Sequence, residues 1–232
     1  MYLTGDRFIM LLINPIPMHR VTISADIDPL EDNRKLAEAN RAHLAEHGVR
    51  AFDVLGSIGS GKTTLICEIA GRLRDEGVRV GAIAGDVAGD DDHRRLEASG
   101  IPSINVNTGK ECHLDAHYIE HAVARLPLDE IDVLFIENVG NLVCPADFPL
   151  GSEMRIVVIS ITEGDDMVRK HPVIFSETDM AVLNKVDLAP YMDASVDTVV
   201  SDYRRVNPCG RIVLASMRTG EGLDELVNAI ID

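Results

Sequence analysis

The chain has 232 residues, of which 46% are hydrophobic, and a formal net charge of −16. This length suffices for one domain with a substantial core. The acidic balance disfavours a nucleic-acid-binding protein, because such proteins use a basic surface to contact phosphates. The four cysteines do not suggest a disulfide framework.

The N-terminus contains one apolar run, residues 8–13, which is too short to cross a bilayer. It resembles the apolar part of a signal peptide, but Asn14-Pro15-Ile16-Pro17 follows it without a small-residue cleavage site. Residues 1–17 either belong to the native protein or precede a true start at Met18, and both possibilities stay open. In either case we expect residues 1–25 to form an N-terminal extension of a cytoplasmic protein that does not bind membranes.

Residues 26–48 are predicted to form an amphipathic helix that packs on the edge of the domain, with Pro29 in its first turn. Beyond it, strand and helix patterns alternate. The predicted strands are 51–55, 78–84, 101–106, 131–137, 154–161, 179–184 and 210–216. The predicted helices lie near 62–75, 91–99, 114–125, 193–205 and 222–231. Several strands are continuous apolar runs, which is typical of strands buried on both faces. We therefore expect an α/β fold with a mostly parallel central sheet, helices on both faces and an N-terminal helix, in a single domain of residues 26–232.

The stretch between the first of these strands and its helix matches the phosphate-binding pattern G-x-x-x-x-G-K-[ST] over residues 56–63. Glycines let backbone N–H groups close around phosphates, and the helix N-terminus favours an anion. We expect Lys62 to reach the β- and γ-phosphates and Thr63 to bind Mg²⁺. The pattern predicts a P-loop NTPase. The nucleotide ligands predicted in this stretch are Gly56, Ser57, Gly59, Ser60, Gly61, Lys62, Thr63 and Thr64.

A second nucleotide signal, Asn184-Lys185-Val186-Asp187, follows the strand 179–184. A carboxylate at Asp187 can accept both N–H groups of guanine, whereas adenine would leave it unpaired, which is a source of large discrimination. Asn184 is expected to bond the base and the surrounding loop, and Lys185 to lie over the ring. The loop that begins at Ser216 resembles the one that contacts guanine O6 in GTPases. The predicted nucleotide is therefore GTP.

Three carboxylates lie where Mg²⁺ and the attacking water are expected. Asp86 and Glu137 each end a predicted strand and are predicted Mg²⁺ ligands, and Asp92 follows Asp86 in a loop as a candidate for orienting water. The predicted catalytic group is Lys62, Asp86, Asp92 and Glu137. Since the switch region has no glutamine to position water, we expect slow hydrolysis.

Two cysteines and a set of histidines suggest a second metal site. Cys112 and His113 open a predicted helix, His113, His117 and His121 recur every four residues, and Cys144 comes seven residues after Glu137. Thiolates with imidazole suit Zn²⁺ or Ni²⁺, and a helix N-terminus would lower the pKa of Cys112. The alternative is two unrelated cysteines beside a solvated histidine face. Such a metal would need Cys144 and a second subunit, whereas Cys67 and Cys209 are expected to be structural.

Several longer segments resemble one family. They are Gly59-Ser60-Gly61-Lys62-Thr63, Gly85-Asp86-Val87 with Asp92 and Arg95, Thr108 to Ala116, Glu137 to Pro145, Glu163-Gly164-Asp165-Asp166, and Asn184-Lys185-Val186-Asp187. The chain is similar to the HypB family, a group of GTPase metallochaperones that help insert nickel into [NiFe]-hydrogenase. The Cys-His-Leu-Asp-Ala and Glu-Asn-Val-Gly-Asn-Leu-Val-Cys-Pro segments distinguish it from the related urease-maturation GTPase UreG.

The resemblance implies a SIMIBI-class fold and a GTP-dependent homodimer. It implies nickel or zinc held at the dimer interface by Cys112, His113 and Cys144, with a weaker second ion at His117 and His121. The implied partners are a HypA-like nickel chaperone and the [NiFe]-hydrogenase large subunit or its maturation complex. One departure is that the N-terminal Cys-x-x-Cys-Gly-Cys site or histidine-rich stretch of some members does not occur here, which puts nickel storage in doubt.

Two other functions stay open. One is a UreG-like role in urease maturation, and the other is a P-loop kinase acting on a small molecule, which the guanine signal disfavours. For the HypB-like function, Glu137 and Cys144 lie on one short segment, so GTP that draws Glu137 toward Mg²⁺ would also move Cys144. Coupling of this kind would be reciprocal between nucleotide and metal.

Overall fold

The computed structural model describes residues 28–232, so the predicted extension of residues 1–25 and the first residues of the predicted 26–48 helix lie outside the described part. The strands are β1 (Arg50–Gly56), β2 (Val80–Asp86), β3 (Ser103–Asn107), β4 (Val133–Glu137), β5 (Met154–Ser160), β6 (Met180–Asn184) and β7 (Arg211–Leu214). The helices are α1 (Pro29–Glu46), α2 (Lys62–Asp75), α3 (Asp91–Ala98), α4 (Ala116–Val123), α5 (Met167–Lys170), α6 (Pro172–Ser176), α7 (Val196–Val206) and α8 (Leu223–Ile231).

All seven strands form one parallel sheet in the order β3-β2-β4-β1-β5-β6-β7. The apolar runs explain this arrangement, because strands covered on both faces by crossover helices have no polar side. The predicted α/β fold with a parallel sheet is confirmed. β1 lies at the centre of the sheet, and its carboxyl end leads directly into the glycine-rich loop. Ligands of such sheets bind at that edge.

The side chains of β1 alternate between the two faces of the sheet, which carry three apolar cores. Phe52 and Val54 pack with α2, α3 and α8 on one face of the sheet. Ala51 contributes to the core under α1 and α4, and Leu55 to the core under α5, α6 and α7, on the opposite face. Asp53 falls between Ala51 and Leu55 on that second face and is fully buried there.

Two buried asparagines, two helical turns apart, form hydrogen bonds between helix α1 and the rest of the domain. Asn33 donates to Pro149 O at 2.9 Å and accepts from Ala116 N at 2.8 Å, and Asn40 donates to Ala116 O at 2.8 Å. These bonds join α1 to the start of α4 and to the loop before β5. The helix therefore packs on the edge of the domain as predicted, and polar anchors hold it there in addition to the buried Ala37 and Leu44.

The alternation of elements matches the predicted order, with boundaries shifted by at most three residues. Helices α5 and α6 and four 3-10 turns, Leu128–Glu130, Cys144–Asp147, Ile161–Glu163 and Val186–Tyr191, were not predicted, because each is too short to show a periodic pattern. Among residues 28–232, no helix combines the length and the apolar composition needed to cross a bilayer.

Candidate functional site

The glycine-rich loop folds tightly because its glycines take conformations that other residues avoid. Gly56 and Gly61 have φ values of 148° and 102°, and Gly61 caps the start of α2. A Cβ atom at Gly61 would collide with Asn184 Nδ2, and one at Gly56 would collide with Val158 O. These two positions therefore require glycine for both conformation and space.

The side chain of Lys62 folds back into the P-loop. Its Nζ donates to Gly56 O at 3.2 Å and to Ser57 O at 3.1 Å, and the residue is 7% exposed. Burial lowers the pKa of Lys62, while the carboxylates of Glu137 and Asp92 oppose that change. The ammonium group is therefore held on the sheet edge where the phosphates are predicted to bind.

Two carboxylates converge on the Thr63 hydroxyl. Its Oγ1 lies 2.6 Å from Asp92 Oδ1 and 2.9 Å from Glu137 Oε1. One hydroxyl has one proton and cannot satisfy two carboxylates. Glu137 Oε2 is buried and has no hydrogen-bond partner within residues 28–232. This set of hard oxygens fits Mg²⁺.

Asp86 and Asp92 both line the P-loop cavity, and their roles as a Mg²⁺ ligand and a water-orienting group stay predictions. Asp86 lines the same cavity, but its Oδ1 accepts from its neighbour Val87 N at 2.6 Å, and no hydrogen bond joins it to Thr63. Asp92, predicted to orient water, approaches Thr63 because α3 begins at Asp91 and turns the next side chain toward α2. The oxygen cluster at Thr63 is therefore made by Asp92 and Glu137.

Glu137 has an unusual acidity for a carboxyl group. Burial raises its pKa to about 7, and the neighbouring Asp92 carboxylate adds to the rise while Lys62 opposes it. A group in this environment takes up a proton when no cation balances its charge. A cation bound at this site would therefore favour the ionised form of Glu137.

The predicted guanine residues line a second cavity of about 300 Å³, which Asn184, Lys185, Asp187, Ser216 and Arg218 help to enclose. The P-loop cavity measures about 420 Å³, and the two share lining residues in the P-loop and at Lys185. A nucleotide can therefore extend from one into the other.

Asn184 and Lys185 tie the guanine cavity to the P-loop. Asn184 Nδ2 donates to Ser60 O at 2.9 Å, and Lys185 Nζ donates to Gly59 O at 2.7 Å. Lys185 has a positive φ of 59°, the only non-glycine residue within 28–232 to do so. This strained conformation turns its side chain back over the loop.

Asp187 is oriented by two side chains of the loop after β7. Ser216 Oγ donates to Asp187 Oδ1 at 2.6 Å, and Arg218 Nη2 lies 2.8 Å from Asp187 Oδ2. The Ser216 hydrogen bond and the Arg218 guanidinium lower the pKa of Asp187. Ser216 and Arg218 thus favour the ionised carboxylate and fix its orientation, both of which an acceptor of two N–H groups requires.

Cys112, His113 and Cys144 come together beside the P-loop. The two sulfur atoms lie 2.8 Å apart, Cys112 Sγ lies 3.9 Å from His113 Nδ1, and the three donor atoms fall within 4.8 Å of one another. The His113 ring packs against Phe148 with centroids 4.0 Å apart. This donor set, two sulfurs and one imidazole, suits Zn²⁺ or Ni²⁺.

Two details of this site contradict the sequence prediction. Helix α4 begins at Ala116 with Asp115 as its cap, so Cys112 and His113 lie in the preceding loop, and His113 does not share a helix face with His117 and His121. The predicted lowering of the Cys112 pKa is wrong for the same reason. The hydrogen bond to Cys144, together with burial, raises that pKa.

His117 and His121 form a separate exposed group with Glu120. Their Nε2 atoms lie 3.2 Å apart on one face of α4, and His117 Nδ1 lies 3.6 Å from Glu120 Oε2. The structure therefore brings the two histidines together as predicted and adds a carboxylate. A second ion at this group stays a prediction.

One contact at the P-loop escaped the sequence analysis. Ser57 Oγ donates to Glu163, whose other oxygen accepts from Ser160 N at 2.7 Å in a capping box. The segment Glu163-Gly164-Asp165-Asp166 contributed only to the family resemblance. Its position after a buried strand, with a serine three residues before the glutamate, was the available indication of the capping box.

Comparisons with known proteins identify the family of this chain. The family model "CobW/HypB/UreG, nucleotide-binding domain" matches residues 51–213. The chain is 51% identical over 203 residues to the probable hydrogenase maturation factor HypB of Methanocaldococcus jannaschii, a match that covers 88% of this chain and 91% of that protein. It is 46% identical over 209 residues to hydrogenase maturation factor HypB of Escherichia coli, covering 90% and 72%. This chain belongs to the HypB family.

Solved HypB structures have the same fold. The factor from Archaeoglobus fulgidus superposes with a TM-score of 0.81 at 44% identity, covering 87% of this chain and 98% of that one. HypB from Helicobacter pylori, solved in complex with nickel, gives a TM-score of 0.82 at 32% identity, covering 86% and 94%. The P-loop NTPase fold and the HypB resemblance are thereby confirmed.

The acidity of Glu137 yields a prediction for this HypB-family chain. The folded-state pKa is above the ordinary value of 4.5, so its contribution to stability is complete below about pH 4.5 and is lost as the pH rises through 7. Glu137→Gln removes this loss. In chelator-treated protein, we expect the variant to gain on the order of 2–3 kcal/mol of unfolding free energy over the wild type between pH 5 and pH 8.

Urea denaturation of both proteins at the two pH values measures this difference. Glu153→Gln is the matched control, because Glu153 pairs with Arg50 at the opposite end of the sheet and its pKa is lowered rather than raised. A pH-independent difference between the wild type and Glu137→Gln would contradict the predicted acidity.

Proposed function

We propose that this chain is a GTP-hydrolysing metallochaperone that carries nickel on Cys112, His113 and Cys144 and assists its insertion into [NiFe]-hydrogenase. One observation supports this most directly. The segment that places Glu137 beside Thr63 of the P-loop also places Cys144 beside Cys112. Family membership supports the role in hydrogenase maturation, and the Helicobacter pylori homologue was solved with nickel. Zinc suits the same donors and is the alternative cargo.

GTP is the substrate proposed for the two joined cavities. The P-loop amides and Lys62 would bind the phosphates, while Asp187, with Ser216 behind it, would read guanine. Thr63, Asp92 and Glu137 would hold Mg²⁺, which neutralises charge on the phosphate oxygens when bound. Within residues 28–232 no glutamine faces this site, since the chain contains none, and slow hydrolysis is the expected consequence.

A second copy of the chain is proposed to complete the nickel site. The three donors of one chain leave a tetrahedral or square-planar ion short of a ligand. Apolar side chains surround the same region, with Ile58 84% exposed and Val143 61% exposed. A homodimer that covers them would bring two thiol sites together. Delivery is proposed to involve a HypA-like chaperone and the hydrogenase large subunit or its maturation complex.

The alternatives receive less support. A relative from Helicobacter hepaticus, 35% identical, is named a hydrogenase/urease maturation factor, which keeps a urease role as the second candidate. A likeness to the LAO/AO transport system kinase, at 21% identity and a TM-score of 0.53, shows the fold alone. Phosphate transfer from GTP to an added acceptor would favour the kinase.

Guanine selection is tested at Asp187. Asp187→Asn replaces the acceptor of two N–H groups with an amide, and each charge-assisted hydrogen bond is worth roughly 1.5–3 kcal/mol. We expect GTP affinity to fall at least about 100-fold while xanthosine triphosphate, whose base has an oxygen in place of the amino group, binds better than to the wild type. Fluorescent-nucleotide titration measures both. The exposed Asp193→Asn serves as control, and unchanged GTP affinity in Asp187→Asn would refute the guanine assignment.

Nickel binding is tested at the thiols. Cys112→Ser and Cys144→Ser are each expected to weaken nickel binding at least about tenfold, because each removes a sulfur ligand. The thiolate-to-nickel charge-transfer absorption should decrease in each variant, because one of its two sulfur ligands is gone. Cys209→Ser is the matched control, since Cys209 is exposed and remote from the site. Equal nickel affinity in the wild type and both site variants would leave the chain only a nucleotide-binding role.

A further inference from the structure

A buried ion pair beneath the thiol site has no place in the chemistry described so far. Asp53 of β1 and Arg155 of β5 are direct neighbours in the register of the sheet. Asp53 Oδ2 lies 3.5 Å from Arg155 Nε, and the side chains are 0% and 14% exposed. Neither of these two atoms has a hydrogen-bond partner within residues 28–232. A charged pair in the middle of a sheet costs desolvation energy and is weak evidence for stability.

The acidic member of the pair reaches the first thiol segment. Asn138 Nδ2 donates to Asp53 Oδ1 at 3.2 Å, and Asn138 Oδ1 accepts from Leu114 N at 3.0 Å. Leu114 directly follows His113. Asn138 is 1% exposed and directly follows Glu137, so one buried side chain links Asp53 to the 112–114 loop.

The basic member reaches the second thiol segment. Arg155 Nη2 donates to Pro145 O at 2.6 Å, and Arg155 Nη1 donates to Ala146 O at 3.2 Å. Both carbonyls belong to the 3-10 turn Cys144–Asp147, which begins with the second thiol. The planar guanidinium donates to the two backbone oxygens from separate nitrogens in a fixed fork, whereas a lysine would offer one ammonium nitrogen on a flexible stem.

We propose that Asp53 and Arg155 are positioning residues that fix the Cys112 and Cys144 thiols next to each other. The loop and the turn that carry the thiols have no direct strand pairing with each other, and the pair links each to a neighbouring strand of the rigid sheet. This inference rests on the proposed function only for the identity of the metal that the thiols bind. The thiol spacing itself is measurable without metal.

The test uses Cys67→Ala/Cys209→Ala as the parent, which leaves Cys112 and Cys144 as the only cysteines. Phenylarsine oxide is the metal-free probe. Its arsenic forms two As–S bonds, and the oxide oxygen leaves as water with both thiol protons, so tight binding requires adjacent thiols. Cobalt(II), with its thiolate charge-transfer band, is the metal probe.

The main variant adds Asp53→Asn/Arg155→Met to the parent. Replacing both members of a buried pair with neutral residues of similar volume is often neutral for stability. We therefore expect the midpoint of urea unfolding to stay close to that of the parent. The affinities for phenylarsine oxide and for cobalt should both fall about tenfold or more, as is typical when the support of a metal ligand is lost.

A matched control lies at the start of β1 and just before β5, away from both thiol segments. Arg50 pairs with Glu153 at 2.7 Å and also grips two carbonyls, Ile230 O at 2.8 Å and Ile231 O at 2.9 Å, at the far end of the sheet. Arg50→Met/Glu153→Gln in the same parent removes the same kind of interaction away from the thiols. It should leave both probe affinities within about twofold, since distant sites act independently.

The outcomes test the positioning role of Asp53 and Arg155 separately from the proposed metal cargo. Unchanged phenylarsine oxide affinity in Asp53→Asn/Arg155→Met, or an equal loss in the control, overturns the positioning role. If the double variant does not fold, Arg155→Lys in the parent decides, because it keeps the positive charge beside Asp53 but replaces the rigid guanidinium fork with a single ammonium on a flexible stem. An arsenical affinity at least about threefold below that of the parent supports the role, and an equal one refutes it. A parent that binds the arsenical but neither cobalt nor nickel contradicts the proposed metal cargo while the arsenical result still decides the positioning.

Discussion

The contact between Thr63 and Glu137 joins the P-loop to the carboxyl end of β4, and the rest of the site depends on it. From Glu137 the chain runs through Asn138, which is anchored to β1, and reaches Cys144 seven residues later. Near its middle, the backbone of Gly140 packs against Ile58 of the P-loop so closely that a Cβ atom would collide. Under the proposed function, a change in the position of Glu137 would be passed to the thiols through this short, packed backbone.

The charges around the Thr63–Glu137 contact would make it sensitive to a bound nucleotide and its cation. Burial raises the pKa of Glu137 to about 7, and the Asp92 carboxylate beside the shared Thr63 hydroxyl adds to the rise. A cation brought by a nucleotide would balance that charge and hold Glu137 ionised. The nucleotide and the thiol site then share one structural element, and any free energy that one ligand puts into it is felt by the other.

The sequence predicted the strand order along the chain and the P-loop because those depend on local patterns. Apolar runs mark buried strands, and the glycine spacing marks the loop. The pairing of Asp53 with Arg155 could not be predicted, since it depends on which strands lie side by side and in what register. His113 was misplaced because its four-residue spacing from His117 imitates a helix face, whereas Asp115 starts the helix only after it. Tertiary contacts, rather than local propensity, fixed these details.

The central claim is that nucleotide and nickel are coupled through the Glu137–Cys144 segment. Calorimetric titration of nickel into the protein with GDP, and again with a non-hydrolysable GTP analogue and Mg²⁺, tests it most directly. We expect the nickel affinity to differ at least about fivefold between the two states, and the preference for the analogue over GDP to change by the same factor when nickel is bound. The difference should vanish in Cys144→Ser. Nickel affinities that are equal in both nucleotide states would contradict the coupling.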